Sequence, residues 1–403
     1  MTAASRQTTA IRAAEPVAPA DPAEARDPRL DGVRGLAIGL VLLFHATRFG
    51  VAATPWQRAA LEVPALGWSG VDLFFVLSGF LITGILMRTR GSSTYYRSFY
   101  ARRALRIFPL YYAVLLFWIV IAPHVLVDVG GVPRPLGAPV AQPFWYWAYL
   151  TNVGVILRGG SSHLLDVTWS LAIEEHFYLA WPWIVRRTSD RGLLAVCAAT
   201  AVGALALRIA AIAFGAPPDT AYMFTLCRLD TLATGAAIAV LAARPGGLRR
   251  LARPAPIALA ASVAAIALAS AVLGAGEPDP IVRGRAAWMQ TAGFTLLCAA
   301  WGSLLVWVAG AREGGRLARV FEARPLGSLG RYSYAIYLVH LPVAIAIQQR
   351  IGDAAYRRHF AWAQLGGLAG TAAISYLLAR ASWALLEEPM LRWKRRFPYR
   401  IAG

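Results

Sequence analysis

Long apolar runs recur along the whole of this 403-residue chain, and they constrain its fold more than any other feature. About ten of them last some twenty residues with few charges, the length that an α-helix needs to cross a hydrocarbon core of about 30 Å. Because 58% of the residues are hydrophobic and only 15% are charged, a soluble globule would lack the polar side chains to cover its surface. We therefore predict an all-α membrane protein of about ten transmembrane helices.

The apolar runs also divide the chain into regions. Residues 1–28 have no apolar centre of the kind that a secretory signal needs, and their Ala, Pro and charged groups predict a disordered cytoplasmic tail. A transmembrane domain of residues 29–393 and a basic cytoplasmic tail of residues 394–403 follow. The aromatic segment from Phe144 to Ile156 is short, which predicts an interfacial or re-entrant piece. The predicted spans lie near residues 33–50, 68–87, 104–126, 168–185, 193–214, 222–243, 255–274, 288–310, 331–349 and 361–387.

The basic residues alternate between loops. The chain has 40 Lys and Arg against 21 Asp and Glu, a net charge of +19, and most of the excess follows the even-numbered spans and the last one. This positive-inside pattern predicts that both termini are cytoplasmic, although the loop with Arg350, Arg357 and Arg358 departs from it. Charge confined to short interhelical loops argues against a nucleic-acid partner and for contact with the lipid bilayer. The three cysteines lie inside predicted spans without metal-ligand spacing, so we interpret them as packing residues.

The first predicted span carries Arg34 at its cytoplasmic end and His45 eleven residues later. The two share one helix face at a separation of about 16 Å, so they would line one path without touching. His45 is either a hydrogen-bonded packing residue or a general base or acyl acceptor. Asp72, at the outer end of the second span, would either orient that imidazole, cap its helix or pair with Arg228.

Two acids and a histidine are consecutive in the fourth span. Glu174, Glu175 and His176 interrupt an otherwise apolar helix. Because charge at membrane depth costs free energy, its presence there indicates a function. One acid is predicted to face a catalytic cavity and the other the interface. The sequence does not assign them, and the spacing does not fit a zinc site.

An arginine cluster precedes the third span. Arg102 and Arg103 lie four and three residues before Arg106, so the three cluster on one side of a helix and could grip phosphate groups. Ordinary anchoring by lipid phosphates explains the same spacing equally well. In span nine, Tyr337 and His340 share a face with Ser333.

Span six begins with Arg228 and Asp230, two charged residues two positions apart. The simplest interpretation is that they pair with each other where the helix opens, since a buried charge needs a partner. The alternative is that Asp230, like Tyr337 and His340, contacts a substrate.

Taken in order, these segments resemble the acyltransferase 3 family of bacterial membrane acyltransferases, from Leu30 to about Trp393. The first span matches the family pattern of a basic residue, a ten-residue gap and a histidine. The later matches are SGVDLFFVLSGFLIT in span two, the RxxR of Arg103 and Arg106, TWSLAIEEHFYLAWP in span four and YSYAIYLVHLP in span nine.

The resemblance implies a ten-span enzyme of the plasma membrane that moves an acyl group, usually acetyl, from cytoplasmic acyl-CoA to a hydroxyl, often of a carbohydrate, without a metal. It implies that His45 is the family's histidine, with Arg34, Arg103, Arg106 and Glu175 as its companions. His176 stands where glutamine is expected. Some relatives continue into a soluble domain, and we expect this chain to be the membrane domain alone.

A mechanism follows as a hypothesis. The arginines at positions 102, 103 and 106 would hold the CoA phosphates while His45 either deprotonates the acceptor hydroxyl or carries the acyl group itself. The orienting carboxylate would be one of Glu174, Glu175 and Asp72. A cell-envelope glycan is the expected acceptor and a macrolide-like secondary metabolite the alternative. The rival from another class, a glycan or lipid transporter, would not consume a thioester.

Overall fold

The computed structural model describes residues 27–47, 54–126, 136, 140–160, 164–217, 219–273 and 286–400. Within these residues the regular structure is helical, without a β-strand. Ten helices have sixteen or more residues. They are α1 (Pro28–Thr47), α3 (Gly70–Arg88), α4 (Tyr95–Leu115), α7 (Trp169–Arg187), α8 (Asp190–Ala213), α10 (Thr225–Ala242), α12 (Ala255–Leu273), α13 (Phe294–Ala309), α15 (Arg324–Arg358) and α16 (Phe360–Ser382).

Shorter helices connect the long ones. They are α2 (Pro55–Ala65), α5 (Phe144–Trp147), α6 (Thr151–Leu157), α9 (Thr220–Met223), α11 (Gly247–Ala252), α14 (Arg316–Phe321) and α17 (Glu388–Arg392). Helix α4 continues through a π-helical turn (Leu116–Ile121) to Val125, and α13 and α16 have π-helical turns at Met289–Gly293 and Trp383–Glu387. Helix α15 is broken at Gly352, whose φ of 74° is outside the helical region.

Seven stretches of the described residues are long and apolar enough to cross a membrane by length and composition. They contain α1, α3, α4, α8, α10, α12 and α13. Helices α7, α15 and α16 are also long, but they are not among these apolar stretches. Helix α7 carries Glu174, Glu175 and His176 in its middle. The prediction of a multi-span helical membrane protein is therefore confirmed, and the count that the structure supports by itself is seven.

Glycines bring the central helices into close contact. A Cβ on Gly330 of α15 would lie 1.8 Å from the backbone oxygen of Asp31, and one on Gly35 of α1 would lie 2.0 Å from that of Leu326. Helices α3 and α10 cross in the same way, because a Cβ on Gly235 would lie 1.9 Å from the oxygen of Val76. Small residues allow such approach in lipid. These crossings pack α15 against α1 and α10 against α3.

The aromatic segment after α4 forms the two short helices α5 and α6. Tyr111 donates a hydrogen bond to the carbonyl of Tyr146 at 2.8 Å, and Asn152 donates to Thr225 Oγ1 at 2.9 Å, so the segment is tied to α4 and α10. Tyr149 between the helices has a φ of 55°. A segment of two short helices fits the expectation that it is too short for a full crossing, and its depth in the membrane stays a prediction.

The three cysteines, Cys197, Cys227 and Cys298, are buried and free. The end of the described chain, after α17, packs on the first turns of α4. Ser98 and Thr94 donate hydrogen bonds to the carbonyl of Pro398 at 2.8 Å. This segment, which was predicted only as a basic tail, contributes Lys394 to the lining of the cavity described next.

Candidate active site

A cavity of about 370 Å³ lies among α1, α3, α4, α7 and α15. Its volume is within the range of small-molecule sites. It runs from the helix ends that carry Asp31, Arg88 and Arg103 toward Ser170 and Tyr337. The basic residues in its lining are Arg34, Arg88, Arg103, Arg106, Arg331 and Lys394, and the acidic ones are Asp27, Asp31 and Glu174.

The basic side chains of the cavity differ in their partners. Arg34 pairs with Asp31 one helical turn earlier, at 2.8 Å. Arg103 and Arg106 have no acidic partner within ion-pair distance among the described residues, and Arg103 lies over the rings of Phe99 and Tyr178. Glu174 is near enough to interact with both groups without forming an ion pair. Two half-buried guanidinium groups that no described acid meets at ion-pair distance favour an anionic ligand.

Arg102 is placed differently from its neighbours. Its Nε donates to the carbonyl of Phe397 at 2.8 Å and its guanidinium lies 5.0 Å from the ring of Tyr399, whereas it is not part of the cavity lining. The three predicted phosphate ligands are thus divided. Arg103 and Arg106 face the cavity, and Arg102 holds the segment after α17.

Glu174 lines the cavity and is hydrogen-bonded to one of two linked hydroxyl groups. Tyr178 donates to Glu174 Oε2 at 3.2 Å and also contacts the hydroxyl of Ser78. The positions of Ser170, Glu174 and Tyr178, each four residues apart, place them on one face of α7. Sequence reasoning singled out only the glutamate, although the same spacing would have identified the serine and the tyrosine.

Glu175 is not part of the cavity lining. Its Oε1 is buried and has no hydrogen-bond partner among the described residues. The next residue, His176, contacts Thr225 Oγ1 at 2.8 Å and so links α7 to α10. Of the two acids, which the sequence did not assign, Glu174 is the one that lines the cavity.

Tyr337 lies at the end of the cavity that is opposite Arg103. Its hydroxyl donates to the carbonyl of Val167 at 2.8 Å and contacts Ser170 Oγ at 2.7 Å, so its ring is fixed between α15 and α7. His340 follows one turn later on the same helix, with ring centroids 5.6 Å apart. The predicted common face of Ser333, Tyr337 and His340 is therefore divided. The first two line the cavity, and the histidine lies behind them.

His45 contacts His340. Its Nδ1 lies 3.2 Å from His340 Nε2 and 3.1 Å from the carbonyl of Val41, and the two rings meet edge to face. His45 is half-buried and His340 is fully buried. As predicted, Arg34 and His45 do not touch: Arg34 lines the cavity, whereas His45 lies outside its lining.

Hydrogen-bond chemistry assigns the tautomers of this pair. The carbonyl of Tyr337 can only accept, so Nδ1 of His340, 2.6 Å away, carries a proton and Nε2 of the neutral ring is the acceptor. The carbonyl of Val41 likewise requires the proton of His45 on Nδ1. The lone pair of neutral His45 is then on Nε2.

Of the three roles that the sequence left open for Asp72, the structure shows the pairing with Arg228. One oxygen of this fully buried carboxylate binds Arg228, and the other has no hydrogen-bond partner among the described residues. Arg228 also lies 4.4 Å from the centre of the Phe294 ring. Asp72 is therefore the counter-ion of a buried arginine, and the partner of His45 on the facing helix is a histidine.

Asp230 is likewise part of a buried ion pair. Arg208 of α8 donates to Asp230 Oδ2 at 2.6 Å, and Asp230 Oδ1 accepts from the backbone and hydroxyl of Thr231. The expected pairing of Asp230 with Arg228 is wrong, because successive positions on α10 face different neighbouring helices. Neither Asp72 nor Asp230 lines the cavity.

A polar cluster around Asp166 lies just before the first residue of α7. Tyr146 donates to Asp166 Oδ1 at 2.7 Å, and Arg158 donates to the same oxygen at 2.7 Å. Burial, followed by the negative charge of Asp166, raises the pKa of Tyr146 above its usual range. The cluster joins α5 and α6 to the start of α7.

Among the described residues no group of His, Cys, Asp and Glu side chains could hold a metal ion.

Comparison with known proteins gives one family. A family model described as an acyltransferase domain matches residues 27–380. The peptidoglycan O-acetyltransferase OatA of Listeria monocytogenes is 26% identical over 334 residues, which is 78% of this chain and 49% of the relative. The O-acetyltransferase OatA of Staphylococcus aureus is 26% identical over 336 residues, 79% of this chain and 51% of the relative.

A putative peptidoglycan O-acetyltransferase, YrhL of Bacillus subtilis, is 27% identical over 390 residues, 90% of this chain and 54% of the relative. The chain thus spans about half the length of these relatives. No solved structure matches it.

Proposed function

Because this chain belongs to the acyltransferase 3 family and is an acyltransferase of the membrane, we propose that it transfers an acetyl group from acetyl-CoA to a hydroxyl of a cell-envelope glycan. The names of its relatives point to peptidoglycan as the glycan. We place it in the plasma membrane with ten crossings, α7, α15 and α16 being added to the seven apolar stretches, and with both termini in the cytoplasm.

The observation that carries the donor assignment is the pair Arg103 and Arg106. Both face the cavity without acidic partners among the described residues, and a phosphorylated donor would supply the missing negative charge. Arg34, already paired with Asp31, adds positive charge to the same wall. The CoA phosphates would bind at this end of the cavity.

The remaining cavity suits the thioester arm. Besides its polar groups the cavity has apolar lining residues, against which an uncharged chain that ends in a thioester could lie. They include Val71, Phe75, Leu81, Ile82 and Ile107. The acyl carbon would then lie near Ser170 and Tyr337, on the side of the cavity nearest His340 and His45.

His45 Nε2 supplies the chemistry in this proposal, and because His45 lies outside the cavity lining the acyl group must pass Tyr337 to reach it. In direct transfer it removes the proton from the acceptor hydroxyl, whose oxygen forms a bond to the thioester carbon as the carbon–sulfur bond breaks. The proton then passes to the departing thiolate. In a covalent relay the same nitrogen attacks the thioester carbon, the carbon–sulfur bond breaks and the thiolate leaves. The acceptor oxygen then attacks the acyl-imidazole carbon, the carbon–nitrogen bond breaks, and the acceptor's proton is left on Nε2, from which it passes to the thiolate or to water. Either route needs the tautomer that Val41 and His340 impose.

The test is acetyl transfer by the protein purified in detergent, with isotopically labelled acetyl-CoA. The acceptor panel contains peptidoglycan fragments, other envelope oligosaccharides and a macrolide, and the products are identified by mass. We expect a labelled ester on a glycan. A label found on the macrolide alone would overturn the glycan acceptor, and the absence of CoA release with every acceptor would overturn the enzymatic function.

A further inference from the structure

Two adjoining surface pockets lie where α10, α12 and α13 end or begin, away from the candidate active site. Their volumes are about 340 and 760 Å³, and both are lined by Arg249, Gly310, Ala311 and Arg312. Gly310 packs so closely on α11 that a Cβ there would lie 2.4 Å from that of Ala252. The shared floor is therefore rigid.

The charged residues that line the two pockets are of one sign. Five arginines line the two pockets and no acidic residue does, and we call the region the basic pocket. The guanidinium groups of all five make no hydrogen bond or ion pair within the part of the chain that the structure describes. The five are Arg244, Arg249, Arg253, Arg312 and Arg316. Such a group of like charges favours an anion with several acceptor oxygens.

The surroundings indicate what carries the anion. Helix α12 begins beside the basic pocket and exposes apolar side chains along its length, Ile257 being 74% and Leu268 67% exposed. Trp307, a side chain that suits the boundary between lipid and water, lines the pocket itself. A phosphate in the pocket therefore lies next to an apolar surface long enough for acyl chains.

We propose that the basic pocket binds the headgroup of an anionic phospholipid, with its phosphate held by Arg249 and Arg312 and its acyl chains along α12. The site is independent of the proposed acyl transfer. Anchoring by scattered positive charges would not require a shared depression, whereas here the arginines of two connections, α10 to α12 and α13 to α15, converge on one floor. Arg29 donates to the carbonyl of Ala311 at 2.9 Å, so this floor is also attached to the start of α1.

The experiment measures lipid selectivity by native mass spectrometry. The whole purified protein is equilibrated with equal amounts of phosphatidylglycerol and phosphatidylcholine, and the ratio of the two adducts is compared between variants. The test variant carries Arg249→Gln, Arg253→Gln and Arg312→Gln. The matched control carries Arg250→Gln, Arg319→Gln and Arg395→Gln, which removes the same charge from exposed arginines outside the basic pocket.

Each arginine that meets a lipid phosphate contributes about fivefold to binding. We expect the phosphatidylglycerol preference to fall about tenfold or more in the test variant and less than about twofold in the control. Arg312→Gln alone, expected to cost about fivefold, gives the answer if the triple variant does not elute as a single species. An equal fall in test and control would overturn the proposal, as would displacement of the lipid by inorganic phosphate.

Discussion

Nε2 of His340 lies 3.2 Å from Nδ1 of His45, although the two histidines are 295 positions apart in the sequence. The contact joins α15 to α1. The carbonyl of Tyr337 fixes the proton of His340 on Nδ1, which leaves Nε2 to accept from His45. In the proposed reaction His45 would become charged during proton transfer, and the acceptor on His340 would stabilise that charge. A histidine would then take the place that a carboxylate occupies in a hydrolase triad.

Replacement of His340 tests this relationship. His340→Ala should lower kcat about 10- to 100-fold, the usual effect of losing a group that orients a reactive histidine, with little change in the KM for acetyl-CoA. His340→Gln offers an amide oxygen as acceptor and should recover part of the loss. Steady-state kinetics check both variants. The control is Ser328→Ala, which removes a hydrogen bond between another residue of α15 and Tyr376 of α16. Equal loss of kcat in the His340→Ala and His340→Gln variants would contradict a positioning role.

Arg103 and Arg102 are adjacent in sequence but have different expected effects. A hydrogen bond to a charged group contributes about 1.5 to 3 kcal/mol, so Arg103→Gln should raise the KM for acetyl-CoA about 10- to 100-fold with a smaller effect on kcat. Arg102→Gln should leave that KM nearly unchanged, because its partners are Phe397 and Tyr399.

The donor itself provides a second control for the arginine prediction. Acetyl-pantetheine lacks the nucleotide phosphates, and Arg103→Gln should therefore not raise the KM for this donor. The phosphate assignment is wrong if the variant is equally impaired with both donors.

Asp72 should affect stability rather than the chemical step. Removing one partner of a buried ion pair leaves the other charge uncompensated and costs about 3 to 5 kcal/mol, so Asp72→Asn should lower the midpoint of thermal unfolding in detergent. The double replacement Asp72→Asn and Arg228→Met should recover much of this loss. A singly substituted protein that unfolds normally but has lost kcat would restore the orienting role that the sequence suggested.

The glycine contacts between α1 and α15 give a matched pair of substitutions. Gly330→Ala places a Cβ 1.8 Å from the oxygen of Asp31 and should force the two helices apart, which lowers the yield of folded protein. Gly327→Ala, one turn earlier on α15, adds a Cβ with nothing within 4 Å and should be neutral or slightly stabilising. Detergent-phase thermal unfolding separates the two. Similar midpoints for both variants would mean that the helices are less tightly packed than described.

Local sequence patterns predicted what depends on one helix at a time. The apolar runs gave the long helices, and the interval of four residues from Ser170 to Glu174 is readable as one face of α7. The resemblance to the family was also correct, because its matched segments follow one another in order along the chain. The separation of Arg34 from His45 needed only the rise per residue of a helix.

Sequence patterns could not decide the pairings between distant helices, and they left the pairing of Asp72 with Arg228 as one of three alternatives. Arg228 and Asp230 are two residues apart on α10, yet one binds Asp72 of α3 and the other Arg208 of α8, which only the packing of the three helices decides. Arg102 was assigned to phosphate because spacing alone does not reveal the segment after α17 that it binds.

The most direct test of the central claim is the release of free CoA from acetyl-CoA by the purified protein and by its His45→Ala variant, each with and without a peptidoglycan fragment. We predict release that the fragment stimulates in the unaltered protein and that falls at least about 100-fold in the variant, while the cavity still binds acetyl-CoA. Stimulated release that persists in His45→Ala would contradict the assignment of the reaction to this histidine.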